Sequence, residues 1–166
     1  VGHFKEKQLI VRKMKDSINN VSCLVAYVGT AGTSPSIDCY KSRKAATDDL
    51  VRNGHVREGD LDIYRVVDKN STKTCLVAYV STGGTAPSLT CYNSLSGGKG
   101  GLEQSSLLKE GDLIVRKIVD QANNKECLIS YVSTEGTSPY IYCSNTKVTQ
   151  KSGSASKTSI PLTPTR

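Results

Sequence analysis

Slid against itself by 52 residues, the chain matches its own sequence without a gap, and does so twice. Cys23 falls on Cys75 and Cys127, and Cys39 falls on Cys91 and Cys143. Around the first cysteine the copies read CLVAYVGTAGTSPSIDCY, CLVAYVSTGGTAPSLTCY and CLISYVSTEGTSPYIYCS. Upstream they read EKQLIVRKMKD, EGDLDIYRVVD and EGDLIVRKIVD. An internal period of this kind makes the repeat, not the chain, the folding problem. It divides the protein into repeat 1 (1–40), a spacer (41–54), repeat 2 (55–92), a Gly/Ser-rich spacer (93–106), repeat 3 (107–144) and a Ser/Thr/Lys-rich tail (145–166).

Each repeat reads as β. Val, Ile, Thr and Tyr dominate, and no window carries a helical period. A first strand spans about Leu9–Asp16, Leu61–Asp68 and Leu113–Asp120, closed by turn formers such as Asn19-Asn20, Asn70-Ser71 and Asn123-Asn124. A second covers about Ser22–Val28, Thr74–Val80 and Glu126–Val132, and a short third Ile37–Tyr40, Leu89–Tyr92 and Ile141–Ser144. In the second strand Leu24, Ala26 and Val28 share one face, with Cys23, Val25 and Tyr27 on the other. Both faces are apolar, so each sheet is expected to be covered on two sides. The fold class is therefore all-β, with three tandem repeats of about 52 residues, each a three-stranded antiparallel unit. A β-trefoil is the alternative. It needs four strands per repeat, and the spacer 93–106 offers no evident fourth; KSRKAATDDLVRNG, the other spacer, is compatible with a short helix.

So small a unit buries little apolar surface, and chains below about 40 residues usually need disulfides, metals or association. Two cysteines per repeat, sixteen positions apart, favour Cys23–Cys39, Cys75–Cys91 and Cys127–Cys143. Closing such a loop is worth about 3 kcal/mol in the chain-entropy model. Buried thiols and bridges between repeats are the competing readings. Zinc is disfavoured, since no C-x-x-C spacing exists and only His3 and His55 are available to join the thiolates. No metal and no cofactor is expected. Disulfides imply an oxidising, extracellular or periplasmic location, in keeping with a start at Val1 after removal of a leader.

Nothing in the pattern points to catalysis. His3 and His55 occupy equivalent positions, but the third copy has Leu107 there. Asp16, Asp68 and Asp120 end a strand before a turn, where Asp is common for its local hydrogen bonds. An enzyme is not expected. The most nearly invariant feature is the loop T-x-G-T-[SA]-P, with Thr30, Gly32, Thr33 and Pro35, then Thr82, Gly84, Thr85 and Pro87, then Thr134, Gly136, Thr137 and Pro139. It reads either as a binding loop displayed three times or as a structural turn, Gly for backbone freedom and Pro for rigidity.

The chain carries 22 Lys+Arg against 15 Asp+Glu, a net charge of +7. The cations are spread out and the recurring Tyr27, Tyr79 and Tyr131 sit in the most hydrophobic strand, which disfavours nucleic acid as a partner, while the absence of Trp counts against sugar stacking. Anionic glycans or a cell surface suit a secreted basic protein better. Tyr27, Tyr79 and Tyr131 are expected in the core; Tyr40, Tyr92, Tyr140 and Tyr142 are candidates for stacking on sugars. No apolar stretch approaches the roughly 20 residues of a membrane helix. The expected function is that of an extracytoplasmic structural or interaction protein, assembling with itself or into a larger surface complex. A lectin- or inhibitor-like binding module presenting the three loops is the alternative.

Overall fold

The computed structural model describes residues 2–29, 33–42, 50–81, 85–133 and 138–147. Among the described residues, twelve strands fall into three four-stranded antiparallel meanders. Sheet 1 runs β1 (His3–Glu6), β2 (Leu9–Asp16), β3 (Val21–Val28) and β4 (Ser36–Lys41). Sheet 2 runs β5 (Leu50–Glu58), β6 (Leu61–Asp68), β7 (Lys73–Val80) and β8 (Ser88–Asn93). Sheet 3 runs β9 (Leu102–Glu110), β10 (Leu113–Asp120), β11 (Lys125–Val132) and β12 (Tyr140–Asn145), with one 3-10 turn at Gln121–Asn123.

The three strands expected per repeat are present, with a fourth before each. β5 and β9 begin inside the stretches that composition marks as spacers. Residues 102–106 are extended despite their Gly/Ser neighbourhood because β10 supplies ladder partners for all of them but Ser105, which sits at a bulge. The same holds for 50–54, where a helix had been compatible with the sequence; 43–49 lie outside the described residues. Four strands per repeat do not make a trefoil, since every strand among the described residues pairs only within its own sheet.

In each sheet the two cysteines sit directly opposite one another on adjacent strands: Cys23 with Cys39, Cys75 with Cys91, Cys127 with Cys143. Their Cα atoms lie 4.1, 4.0 and 4.0 Å apart, and all three pairs are bonded. The pairing inferred from the period is the one found.

Every sheet has a leucine face (Leu24, Ala26 and Val28 in sheet 1) and a cysteine face (Cys23, Val25 and Tyr27). The leucine face of sheet 1 packs on the cysteine face of sheet 2, joining Leu9, Val11 and Leu24 to Tyr64, Val66 and Val77. The leucine face of sheet 2 packs in the same way on the cysteine face of sheet 3, joining Leu61, Ile63 and Leu76 to Ile114, Ile118 and Ile129. The molecule is a three-layer stack in which each repeat follows the last head to tail.

Burial along the first repeated strand records this order. In β2 the leucine-face positions are buried, in β10 the cysteine-face positions are, and in β6 nearly every residue is. Among the described residues, only the middle sheet is covered on both sides. The outer sheets each leave one face exposed, a departure from what two apolar faces suggest. The reason is positional: an end repeat has one neighbour.

Candidate functional site

The contacts between layers recur with the period. At the first interface the Lys13 ammonium lies 2.8 Å from Asp68 Oδ2, and the Tyr40 hydroxyl donates to the same oxygen at 2.9 Å. At the second, Arg65 Nη1 donates to Asp120 Oδ1 at 2.5 Å and the Tyr92 hydroxyl to Asp120 Oδ2 at 2.6 Å. Burial alone would raise the Asp68 carboxyl, but the Lys13 ammonium and the Tyr40 hydroxyl beside it outweigh that and hold it below the ordinary range. Burial first, then the adjacent carboxylates, push the Tyr40 and Tyr92 hydroxyls up.

Equivalent glutamates also reach arginines across each boundary, though these arginines stand at different positions of the repeat. Glu6 on sheet 1 meets Arg52 of sheet 2 at 3.0 Å, and Glu58, its counterpart, lies 4.0 Å from Arg116 of sheet 3. Arg116 also donates to Tyr131 at 2.9 Å and to Gln104 at 2.7 Å. The strand edges are matched too. Leu89 N–H donates to Ser36 Oγ and Cys91 N–H to Asp38 Oδ2, so side chains of β4 occupy donors that β8 turns away from β7.

Several charged and aromatic residues therefore have roles that their types did not disclose. Lys13, Arg65 and Arg116 belong to the buried interfaces and not to a basic surface. Tyr40 and Tyr92 are buried with their hydroxyls engaged, so they do not stack on a ligand; Tyr140 and Tyr142 are exposed. Tyr79 and Tyr131 are in the core, and Tyr27 is half-buried. The aspartates do cap their turns, as in Asp68 to the Asn70 N–H and Asp16 to the Ile18 and Asn19 N–H groups. The contact with the preceding repeat was missed. Its signal was present: a cation at 13, 65 and 117 recurs with Tyr at 40 and 92 and Asp at 16, 68 and 120.

Of the loop residues, Thr30, Gly32, Thr82, Gly84, Thr134, Gly136 and Thr137 lie outside the described residues. Thr33 donates to the Val28 carbonyl at 3.2 Å, and buried Thr85 to the Val80 carbonyl at 2.5 Å. Pro35 is exposed, whereas Pro87 and Pro139 are buried. Ala86 N–H donates to Ser138 Oγ, so the described ends of the second and third loops meet along the stack.

His3 and His55 do occupy the same register position, opposite Arg12 and Tyr64. His55 Nε2 lies 2.8 Å from Asp62 Oδ1, and its ring stacks on Tyr64 with centroids 4.5 Å apart. Among the described residues no cluster of His, Cys, Asp or Glu is suited to hold a metal, and no helix is long and apolar enough to cross a membrane.

What remains are the two end faces. On the cysteine face of sheet 1, Ile10, Arg12, Met14, Val25, Tyr27 and Ile37 stand where sheet 3 has Ile114, Arg116, Ile118, Ile129, Tyr131 and Ile141. Met14 is 50% exposed and Ile37 58%, against 0% for Ile118 and 7% for Ile141. On the leucine face of sheet 3, Leu113 and Leu128 are 43% and 47% exposed, against 0% for Leu61 and Leu76.

The fold thus defines a class, a head-to-tail stack of disulfide-stapled β-meanders with two unlike apolar ends. Compared with family models, curated proteins and solved structures, the chain matches none.

Proposed function

We propose that this chain is a structural or interaction protein of an oxidising, extracytoplasmic compartment, working through the end faces of its stack and not through catalysis. The observation that carries this reading is the exposed cysteine face of sheet 1, which repeats almost side chain for side chain the face that sheet 3 buries. A contiguous apolar patch of this kind on a folded domain usually marks an interaction site. Three disulfides in a chain this small support the compartment.

Sedimentation of native, non-reduced protein over a range of concentrations tests the reading. The expected result is a species larger than the 17.8 kDa monomer that grows with concentration. A monomer throughout removes self-assembly.

The alternative, a binding module presenting the loops, draws support from the adjacency of Ala86 and Ser138. It draws less from the threonines, since the Thr33 and Thr85 hydroxyls are turned onto their own loops.

A further inference from the structure

We infer that a second copy of this chain covers the exposed cysteine face of sheet 1, seating on it the leucine face of its own sheet 3. The inference rests on the interaction reading above and names the partner. It follows from continuity with an interface the chain already contains twice.

Both halves of that interface are present at the two ends. The leucine face of sheet 3 keeps Leu113, Val115, Leu128 and Val132, the counterparts of Leu9, Val11, Leu24 and Val28, which sheet 1 buries against sheet 2. The receiving face keeps the isoleucine, arginine and tyrosine positions of sheet 3.

The charges are complementary in the same register. Lys13 and Arg65 each reach the aspartate of the following repeat; their third counterpart is Lys117, and the aspartate of repeat 1 is Asp16. Glu58 lies 4.0 Å from Arg116 of the following repeat, and the counterparts of these two residues at the ends are Glu110 and Arg12. Stacked copies would pair Lys117 with Asp16 and Glu110 with Arg12.

The contact is weaker than the internal ones for identifiable reasons. Ser144 stands where Tyr40 and Tyr92 supply a buried hydroxyl, and Lys117 already pairs with Glu126, which replaces Ser22 and Thr74. Exposed Tyr140 and Tyr142, on the same face, add aromatic surface in partial return. Association is therefore reversible. Because the two faces differ, it is heterologous, and such contacts extend into an open array unless they close.

Two single substitutions test this. Ile37→Glu puts a charge on the receiving face, and Leu128→Glu puts one on the donating face. Both residues are half-exposed in the single chain, so the fold and its three disulfides should survive, which circular dichroism and thiol titration verify. A charge buried without a partner should weaken the contact about 100-fold or more. Each variant alone is expected to sediment as a monomer, and an equimolar mixture as a species of two chains and no larger, since one unmodified face remains on each. Substituting Met14→Lys in place of Ile37→Glu should give the same result.

If wild-type protein associates and either variant associates as wild type does, or the mixture stays monomeric, head-to-tail stacking is wrong while the interaction reading stands. Dimers of Leu128→Glu alone would mean that like faces pair, and would also overturn it. Wild-type protein that stays monomeric at every concentration overturns the stacking and removes self-assembly with it.

Discussion

The Tyr40 hydroxyl donates to Asp68 across the boundary between two repeats, at 2.9 Å, and the same oxygen takes the Lys13 ammonium at 2.8 Å. All three groups are buried, and the cluster exists only where the two repeats meet. Tyr92, Arg65 and Asp120 do the same one layer on.

Removing the centre of that cluster should be the costlier change. Asp68→Ala leaves an ammonium and a hydroxyl buried without their acceptor, and is expected to cost about 3–5 kcal/mol. Tyr40→Phe, which deletes one bond to a charged group, should cost about 1.5–3 kcal/mol. Asp16→Ala, at an exposed turn, should cost much less than either. Urea unfolding of the three variants checks the order.

The same cluster sets a pH dependence at both ends. The Asp68 carboxyl is held below its ordinary value, so its contribution is present near neutrality and is lost as pH falls below about 4, through the folded-state value. Tyr40 and Tyr92 are pushed upward, so the fold keeps them neutral and loses stability as pH rises past about 10. Tyrosinate absorbance should show these two ionising together with unfolding; ionisation of all eight tyrosines before the circular dichroism changes would contradict the burial.

Three equivalent leucines should give unequal effects. Leu24→Ala and Leu76→Ala open cavities between layers and are expected to cost about 2–5 kcal/mol each. Leu128→Ala acts on the exposed end face and should stay within about 1 kcal/mol in the isolated chain. Thermal or chemical unfolding of dilute protein distinguishes them.

The turn between the second and third strands of each sheet offers a gain of stability. Its left-handed position is Asn20 (φ 53°) in repeat 1, Asn124 (φ 51°) in repeat 3, and Thr72 (φ 51°) in repeat 2. Each carbonyl there accepts a backbone N–H, from Ser42, Thr146 and Ser94. A β-branched residue is strained at positive φ, so Thr72→Asn should stabilise by about 0.5–1 kcal/mol, read as a rise in Tm.

The disulfides should open in sequence. Cys75 and Cys127 lie between layers with no exposed surface, whereas Cys23 and Cys39 sit on the open face of sheet 1. Mild reduction followed by alkylation and mass analysis is expected to label Cys23 and Cys39 first. Equal labelling of all six would mean that the layers separate readily.

Much of this was legible from one period. The lag of 52 residues located the strands after the first and the cysteine pairs, because alternation and loop closure are local properties. The fourth strand was not legible. Leu102–Glu110 has exposed Glu103, Ser105 and Ser106 and becomes a strand by pairing with β10. Nor was the fate of each face, since Leu24 and Leu128 have the same local sequence environment and differ only in having a neighbour. The buried clusters were hidden for a related reason. Asp68 looks like any turn aspartate until its second oxygen is traced into the repeat before it.

One consequence of head-to-tail layering concerns growth by duplication. In a closed ring of repeats geometry dictates the copy number, and one unit more or fewer breaks the closure. Here each layer needs only the one below it, and packed sheets lie about 10 Å apart. Gaining or losing a repeat would lengthen or shorten the molecule by that step and leave both ends chemically as they are, so its length is a heritable variable, tunable like the marks on a ruler.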